Sequence, residues 1–550
     1  MKILFENLES LIDAPNGIEK ARELILQLAV QGKLVRQDPN DEPASELLKK
    51  IKKEKEKLIA EGKIRKQNDV EPITDEEKSF ELPQGWCWVR NAELFFFERG
   101  NNPKDLNKIK GKHPYINIKA FEKGIIEQYS DDENVTFCNP KDILIVCDGS
   151  RSGLIGNGMH GILGSTLARI DPYLSSTSDY LKLFISSKFQ FFNTNKKGAA
   201  IPHLDINLFK NMLLSLPPLN EQKRIVEKVN SLMALLDELE EKRERRNQKR
   251  IKLNSSSLDK LLTSKDDKEL KTNWKRIEES FSTLYAVPEN VEKLKQAILQ
   301  LAVQGKLVKQ DPKDEPASEL LKKIKIEKEK LVAEGKIKKQ NELPPIKDDE
   351  KPFELPKGWE WVRLQEVFDV RDGTHDTPKY VKEGIPLVTS RCFSNGEIDF
   401  TLAQNISRAD HNEIQKRSYV EVQDILFSMI GGNLGNMIMV KTDKEFSIKN
   451  VALFKYYNKE FTLPNYLYLF LQFLANGIQK KAAGGAQPFV ALNFLRNHLF
   501  PLPSINEQKR IVEKVNELMS LCNALEEKLT KKEATAEKLV GAVVNRISKN

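Results

Sequence analysis

The chain has 550 residues, of which 39% are hydrophobic and 31% charged, and its 88 lysines and arginines against 80 acidic residues give a formal net charge of +8. This length predicts three or four domains, and the composition excludes both a disordered chain and a membrane protein. No run of about 18 apolar residues occurs. The first residues turn acidic at Glu6, before a signal-peptide core could form, so we expect a cytoplasmic protein. A mildly basic balance permits nucleic-acid binding without demonstrating it.

Two internal repeats organise the chain. The segment Ala29–Val35 recurs 273 positions later as Ala302–Val308, and the match continues in register to LPQGWCW, which recurs as LPKGWEW. The eleven residues NEQKRIVEKVN begin at Asn220 and recur 286 positions later at Asn506. Since the offset grows by 13, the segment between the repeats is longer in the second half, and it is also dissimilar. Duplicated ends around divergent middles indicate one scaffold that carries two specificities.

Each half therefore reads as a repeated arm, a variable domain and a repeated helix. The predicted boundaries are 1–85 for the N-terminal helical arm, 86–216 for the first variable domain, 217–284 for the central coiled-coil helix and linker, 285–358 for the second arm, 359–502 for the second variable domain and 503–550 for the C-terminal coiled-coil helix.

Apolar residues in the arm recur at helical spacing. From Asn16 to Val30 they define one face of a helix, and Pro43 stands where a second amphipathic helix can begin and continue to Gly62. Two copies of one partly apolar arm predict two equivalent docking places for a partner, although a solvated helix pair is the simpler alternative.

Both copies of NEQKRIVEKVN open a long heptad pattern. The apolar positions alternate spacings of four and three, which is the seam of a coiled coil, and each helix of about 40 residues would be roughly 60 Å long. Arg243, Arg246 and Arg250 interrupt the first seam before Leu253, Leu258, Leu261 and Leu262 resume it. The seam residues are Ile225, Val229, Leu232, Leu236, Leu239, Ile511, Val515, Leu518, Leu525 and Leu529.

The variable middles mix short strands and helices. Asp142–Val146 and Asp424–Ser428 read as strands, whereas Tyr180–Ile185 and Tyr466–Leu471 read as helices, which predicts α+β domains of one ancestry. Their skeletons align, with Arg99-Gly100 matching the stretch Arg371-Asp372-Gly373.

These features together resemble the specificity subunit of type I restriction-modification enzymes. The resemblance rests on the paired LPxGWxWVR stretches at Leu82 and Leu355, on RDGTHDTPKY from Arg371 to Tyr380, and on NEQKRIVEKVN after each variable domain. It implies an α+β fold in which two mixed α/β target recognition domains are separated by two long antiparallel coiled-coil helices, with a pseudo-two-fold internal repeat. It also implies that each domain reads one half of a bipartite, asymmetric site on double-stranded DNA. The implied partners are two methyltransferase subunits, joined by restriction subunits in the full complex.

Sequence signatures of catalysis are missing, which agrees with a non-catalytic subunit. Neither a G-x-x-x-x-G-K-[ST] loop nor an Asn-Pro-Pro-aromatic or Asp-Pro-Pro-aromatic motif occurs, so we expect S-adenosylmethionine, ATP and magnesium on partner subunits and no cofactor or metal on this chain. Gly156–Gly161 spells G-x-G-x-x-G, but the following residues leave no helix for a pyrophosphate. Alternatives are a nuclease or fused methyltransferase, a coiled-coil adaptor, and a stand-alone DNA-binding protein.

Residues that can bind base edges or phosphates are predicted on loops of both domains. In the first domain they are Arg99, Asn101, Asn102, Lys104, Ser150, Arg151, Lys196, Lys197 and His203. In the second domain they are Arg371, Asp372, Thr374, His375, Lys379, Arg391, Asn433, Lys480, Lys481 and Gln487.

Overall fold

A computed structural model describes the chain as two compact units. Residues 1–246 with 532–550 form the first unit, and residues 247–531 form the second. The described residues are 14–66, 70–107, 110–196, 202–340, 343–482 and 489–549, with only the backbone described at 480–482 and 543–549. Within these ranges, no helix is both long and apolar enough to cross a membrane.

The first unit opens with the predicted arm. Helix α1 spans Gly17–Val30 and buries its apolar face at the predicted spacing, while helix α2 spans Ala44–Ala60. Since α2 buries only Ala44, Leu47 and Ile51, most of its surface remains exposed or half-buried.

The first variable domain then adds two sheets and several short helices. Its strands are β1 (Cys87–Arg90), β2 (Phe95–Arg99), β3 (His113–Ile116), β4 (Tyr129–Ser130), β5 (Phe137–Cys138), β6 (Ile143–Val146), β7 (Ile155–Asn157), β8 (Gly161–Leu163), β9 (Leu167–Pro172) and β10 (Leu213–Leu216). Its helices are α3 (Ile118–Lys123), α4 (Ser178–Ser187), α5 (Phe189–Thr194) and α6 (Ile206–Asn211). The sheets have the orders β2-β9-β6-β7 and β4-β3-β8-β5, and β1 pairs with β10, so the domain begins and ends in one ribbon. The predicted strand and helix correspond to β6 and α4.

The long helix α7 (Leu219–Leu262) follows and continues into the second unit. The helices of that unit are α8 (Asp267–Glu279), α9 (Phe281–Leu284), α10 (Pro288–Val303), α11 (Ala317–Ala333), α12 (Leu364–Val367), α13 (Arg408–Ser418), α14 (Pro464–Ala482), α15 (Leu492–Asn497) and α16 (Ile505–Lys549), which continues into the first unit. The strands are β11 (Glu360–Arg363), β12 (Phe368–Asp372), β13 (Tyr380–Val381), β14 (Ile385–Val388), β15 (Phe393–Ser394), β16 (Glu397–Ile398), β17 (Gln404–Ile406), β18 (Ile425–Ser428), β19 (Met437–Met439), β20 (Ser447–Ile448), β21 (Val451–Tyr456) and β22 (Leu499–Leu502).

The second variable domain repeats the topology of the first. The order β12-β21-β18-β19 matches β2-β9-β6-β7, the parallel pair β14·β20 matches β3·β8, and β11 pairs with β22 as β1 does with β10. Most of the extra length of the second half lies between β14 and β18, in residues 389–424, where the first domain has residues 117–142 between β3 and β6. Helix α13 lies in this longer segment and packs against β12 and β20.

The repeated motifs meet at one junction in each unit. The indole of Trp86 and the amide of Gln37 donate to the Glu221 carboxylate at 3.0 and 3.1 Å, and Trp359 and Gln310 do the same to Glu507 at 2.9 and 3.0 Å. Arm, variable domain and long helix are thus joined by one hydrogen-bonded carboxylate, which explains why these stretches repeat together. Burial raises the pKa of both glutamates, while the donated hydrogen bonds oppose that rise.

A glycine turn brings each arm onto this junction. Gly32 has φ of +69°, and a Cβ added there would overlap the ring of Pro83; Gly305 stands in the same relation to Pro356. The left-handed backbone and the close approach both require glycine, which accounts for the repeated AVQGKLV stretch.

The coiled-coil seams are buried, but they are shared with the arms. Ile225, Val229, Leu232 and Leu236 belong to the hydrophobic core of the first unit together with residues of α1 and with Val540 of α16. In the second unit, Ile511 and Val515 share a core with α10 and with Leu258 and Leu261 from the end of α7. Leu239, Leu518, Leu525 and Leu529 are partly buried against these cores. Each unit therefore contains the start of one long helix and the end of the other.

One detail of the seam prediction is wrong. Leu253 does not resume the seam, because 52% of its surface is exposed, whereas Leu258 and Leu261 are buried and Leu262 packs partly buried against the same core. The long helices also share their seam with α1 and α10. Arg22 of α1 pairs with Asp237 and Glu240 of α7 at 2.5 and 3.0 Å, and Lys295 of α10 pairs with Glu526 of α16 at 2.7 Å.

Candidate nucleic-acid interface

Both variable domains bring loops together at one edge of a sheet. β2 and β6 both run antiparallel to β9, so their last residues share an edge, and β12 and β18 flank β21 in the same way. In the first domain an isolated bridge joins the turn after β6 to the segment before α6. In the second domain one joins the turn after β18 to the segment before α15. They pair Asp148 with His203 and Ile430 with Phe489. Polar residues that are distant in sequence can therefore meet at this edge.

The strand that forms the edge is followed directly by a glycine that touches the second sheet. A Cβ on Gly100 would overlap the backbone oxygen of Leu163, and a Cβ on Gly373 would overlap that of Ile448. The backbone N–H of each glycine donates to the first residue of the neighbouring strand, Leu167 or Val451, at 3.0 Å. Gly100 and Gly373 are therefore structurally equivalent.

In the first domain, Asp148 links two exposed basic side chains. Its Oδ1 lies 2.6 Å from His203 Nδ1, and its Oδ2 accepts a hydrogen bond from Arg99 Nη2. Arg99 Nε also donates to the carbonyl of Ser165 at 2.9 Å. The Asp148 side chain is 15% exposed, against 43% for Arg99 and 49% for His203. The mostly buried Asp148 carboxylate therefore fixes the exposed side chains of Arg99 and His203.

The turn after β6 collects the next predicted residues. Lys196 Nζ and Asn193 Nδ2 donate to the Ser150 carbonyl at 2.9 and 2.7 Å. Arg151 pairs with Glu122 at 3.3 Å and lies over the Phe189 ring at 5.8 Å. Ser150, Arg151 and Lys196 therefore belong to the same edge as Arg99 and His203.

Asn101, Asn102 and Lys104 lie on the exposed loop after β2. Asn101 Oδ1 accepts from the Thr136 N–H at 3.2 Å, and Asn102 Oδ1 accepts from the Tyr115 hydroxyl at 2.6 Å. Their carbonyl oxygens are engaged in shaping the loop. The amide nitrogens remain the groups suited to an external acceptor.

The second domain contains a matching arrangement around Asp372. Its Oδ2 lies 2.7 Å from His375 Nε2, and its Oδ1 accepts from Arg417 Nη2. The other ring nitrogen of His375 lies 3.3 Å from Asn450 Oδ1. Asp372 is 11% exposed, whereas His375 and Arg417 are 56% and 57% exposed.

The predicted match between Arg99 and Arg371 is shifted by one residue. Because Gly100 is equivalent to Gly373, Asp372 occupies the position that Arg99 has in the first domain. Arg371 is therefore equivalent to Glu98. Adjacent strand residues face opposite sides of a sheet, so Arg371 points away from the Arg99 face. It binds Asp369 at 2.7 Å.

His411 anchors the helix that supplies Arg417. It is buried on α13, with its Nδ1 2.9 Å from the Ser447 hydroxyl of β20. Burial lowers the pKa of His411, which favours the neutral imidazole.

The remaining predicted residues of the second domain are dispersed around this edge. The Thr374 N–H donates to the Ile448 carbonyl at 3.0 Å, and Lys379 is exposed. Arg391 is exposed. Asn433 donates at 3.4 Å to the carbonyl of Ser390, the residue before Arg391. Lys197 and Gln487 lie outside the described residues, as do the side chains of Lys480 and Lys481.

Sequence reasoning missed Asp148, Arg417 and Asn450. Asp148 could have been found, because it is an acidic residue two positions beyond an apolar strand. Arg417 lies in the segment that is longer in the second domain, and its pairing with Asp372 spans 45 positions with no local signal.

The G-x-G-x-x-G stretch lies in two strands and does not open a helix. Gly156 lies in β7 and Gly161 begins β8, so a strand follows where a phosphate-binding helix would be required.

Comparisons with known proteins agree with this architecture. A family model described as "Type I restriction modification DNA specificity domain" matches residues 83–247 and again residues 356–534. The specificity subunit of the type I restriction enzyme EcoAI of Escherichia coli is 37% identical over 547 residues, covering 92% of this chain and 90% of that protein. The EcoEI specificity subunit of Escherichia coli is 38% identical over 371 residues, covering 64% of this chain and 62% of that protein.

Solved structures were also matched. One chain, from work on the complex assembly and conformational transition of the type I R-M system, gives a TM-score of 0.49 at 19% identity, covering 85% of this chain and 99% of that chain. The HsdS subunit from Thermoanaerobacter tengcongensis gives 0.41 at 19% identity, covering 86% and 98%.

The two matches to a DNA specificity domain define a class of protein that recognises DNA sequence. The chain belongs to the family of type I restriction-modification specificity subunits, as its sequence motifs predict. It is a non-catalytic subunit, and the enzymatic activities of the system belong to partner subunits.

Proposed function

We propose that each variable domain reads one half of a bipartite, asymmetric site on double-stranded DNA. One observation carries this proposal: the two domains share topology and sheet edge but present different side chains at equivalent positions. Arg99 is replaced by Asp372, and the bridged pair Asp148 and His203 is replaced by Ile430 and Phe489. The same frame with different groups on it is the arrangement expected for two different half-sites.

A selection from random duplexes tests this proposal. The chain, assembled with its methyltransferase subunits, is bound to a pool of random duplexes, and the retained DNA is sequenced. We expect two short segments of different sequence separated by a fixed number of unspecified base pairs. A single continuous motif would contradict the two-domain reading, and an absence of any motif would leave an adaptor without DNA readout.

The arms support the proposal that two methyltransferase subunits dock equivalently. α2 and α11 carry the same exposed ion pairs: Lys49–Glu46 and Lys322–Glu319, both at 2.7 Å, and the pairs of Lys50 with Glu42 and Lys323 with Glu315. Equivalent surfaces bind equivalent partners.

Charge reversal of one arm at a time tests that stoichiometry by native mass spectrometry. We expect two methyltransferase subunits on the unchanged chain, one on Lys49→Glu/Lys50→Glu or on Lys322→Glu/Lys323→Glu, and none on the combined variant. One methyltransferase on the unchanged chain at saturation would contradict the equivalence of the arms.

The partner subunits are also the proposed holders of S-adenosylmethionine, ATP and magnesium, with restriction subunits completing the complex. In the described ranges, no group of three or more His, Cys, Asp or Glu side chains is arranged to hold a metal. We expect the isolated chain to transfer no methyl group to DNA when supplied with the methyl donor, and methylation by the pure chain would contradict this division of labour.

The long helices are the proposed spacer between the half-sites. Each unit combines the start of one long helix with the end of the other, which is the arrangement that antiparallel pairing requires. The length of the paired helices would then set the number of unspecified base pairs.

A further inference from the structure

An Arg–Asp–His cluster occurs in both variable domains at the sheet edge where β2 and β6, or β12 and β18, end, which we call the recognition edge. In each cluster one carboxylate oxygen binds a guanidinium Nη2 and the other lies 2.6 or 2.7 Å from an imidazole nitrogen. The members are Arg99, Asp148 and His203 in the first domain and Arg417, Asp372 and His375 in the second.

The two clusters are not copies of each other. Arg99 ends β2 and Asp148 follows β6, whereas Asp372 ends β12 and Arg417 comes from α13, in the segment that is longer in the second domain. Even the carboxylate stands on a different strand of the sheet. Duplication of the domain therefore does not explain why the same three side-chain types recur at this edge.

The charges favour a base over a phosphate as the target of the arginine. Each carboxylate is 11–15% exposed and offsets the charge of the arginine, which is 43–57% exposed. Offsetting the charge weakens attraction to a phosphate, while the planar guanidinium held in place keeps N–H donors that match the paired acceptors O6 and N7 of guanine. In the first cluster, the contacts to Ser165 and Asp148 use two of the five N–H donors of Arg99.

We propose that each cluster reads a guanine, with Arg99 or Arg417 as the base contact and Asp148 or Asp372 as the positioning residue. The proposal rests on the proposed function of the two domains. The histidine fixes the carboxylate through its second oxygen, so the arginine is presented in one orientation before DNA binds.

Lysine substitution separates base reading from charge. Arg99→Lys and Arg417→Lys keep the positive charge but lose the planar pair of donors. Binding of the complex assembled with methyltransferase subunits is measured on duplexes in which each base pair of the selected site is replaced in turn. We expect Arg99→Lys to lose roughly ten- to hundred-fold discrimination at one G·C pair of one half-site and nothing in the other. Arg417→Lys should show the reverse pattern.

The controls come from the same chain. Arg408→Lys changes an arginine of α13 that pairs with the exposed Glu445, and it should leave discrimination unchanged at every position. The untouched half-site reports that each variant is folded and assembled.

Neutralising the carboxylate tests its positioning role. Asp148→Asn and Asp372→Asn leave the arginine with an uncompensated charge, so discrimination at the same G·C pair should fall while the slope of log K against log salt steepens by about one. Unchanged discrimination in both arginine variants would overturn the proposal and make these arginines phosphate contacts. If the unchanged complex itself prefers no duplex, the proposed function fails as well, which is a distinct result.

Discussion

The indole N–H of Trp86 donates to the carboxylate of Glu221 at 3.0 Å, across 135 positions of the chain. This contact fixes the first residue of a variable domain to the first turn of a long helix. Trp359 and Glu507 form the same contact in the second unit at 2.9 Å. Because the variable domains are held through these contacts, their loops can differ while their attachment stays the same.

Trp86→Phe should destabilise the first unit by about 1–3 kcal/mol, because the buried Glu221 loses a donor while the apolar contact is largely kept. Denaturant unfolding of the variant measures this loss. Trp88→Phe is the matched control, since Trp88 packs edge-on against Phe80 at 4.9 Å and its ring contact survives the change. An equal loss in both variants would mean that ring packing, and not the hydrogen bond, holds the junction.

Acid should weaken both junctions through Asp41 and Asp314. The hydrogen bond from Arg224 lowers the pKa of Asp41 below its ordinary 3.8, and Arg510 does the same to Asp314. A depressed pKa in the folded state contributes stability that is present above the ordinary value and is lost as pH falls through the folded value. The difference in unfolding free energy between the unchanged chain and Asp41→Asn should therefore be constant near neutrality and shrink below about pH 4.

The measurement is denaturant unfolding at a series of pH values. The contribution of Glu221 to the free energy of unfolding depends on pH in the opposite direction. Because burial raises its pKa, this contribution is lost as pH rises through that value. A difference between the unchanged chain and Asp41→Asn that grows on acidification would contradict the assignment to Asp41.

Lysine pairs that precede the bridged residues in the sequence should supply DNA affinity that is independent of the base sequence. Replacing Lys196 and Lys197 with Ala, or Lys480 and Lys481 with Ala, should flatten the salt dependence of DNA binding by about one to two units of slope. Lys141→Ala and Lys459→Ala change exposed lysines at the opposite ends of the two sheets, and as controls they should leave the slope unchanged. Lost base preference at an unaltered slope would instead place these lysines among the base contacts.

Four alanines inserted into both long helices should lengthen the spacer. The insertions belong after Arg246 in α7 and after Lys531 in α16, the positions at which the chain passes from one unit to the other and beyond the contact of Arg22 with Glu240. One added turn extends a helix by about 6 Å. A base pair spans about 3.4 Å of DNA, so the unspecified segment should grow by one or two base pairs.

Sequencing of the methylated sites reports the spacer length directly. The same insertion after Gly62, an exposed turn with open space around it, should leave the spacer as it was. A fully active protein with an unchanged spacer after the helix insertions would show that flexible linkers position the two domains.

Local sequence patterns predicted the helices and strands of this fold. The features that they did not predict depend on pairing between residues that are distant in the sequence. The periodicity of α1, the apolar runs of β6 and β18, and the heptads of α7 and α16 all form the structures expected from them. Sequence alignment matched Arg371 with Arg99. The one-residue shift in this alignment cannot be seen until the pairing of β12 with β21 fixes the register. The same limit hid the role of α1 in the seam, since Arg22 and Asp237 are 215 positions apart.

Exchange of one variable domain shows whether each domain reads its own half-site. Residues 86–216 are replaced by the corresponding domain of another specificity subunit, joined through the ribbon of β1 and β10 so that the Trp86–Glu221 contact is kept. The methylated sites of cells that carry the exchanged chain are then sequenced. We expect one half of the methylated motif to change while the other half and the spacer remain as before. A change in both halves, or in neither, would contradict the claim that each domain reads its own half-site.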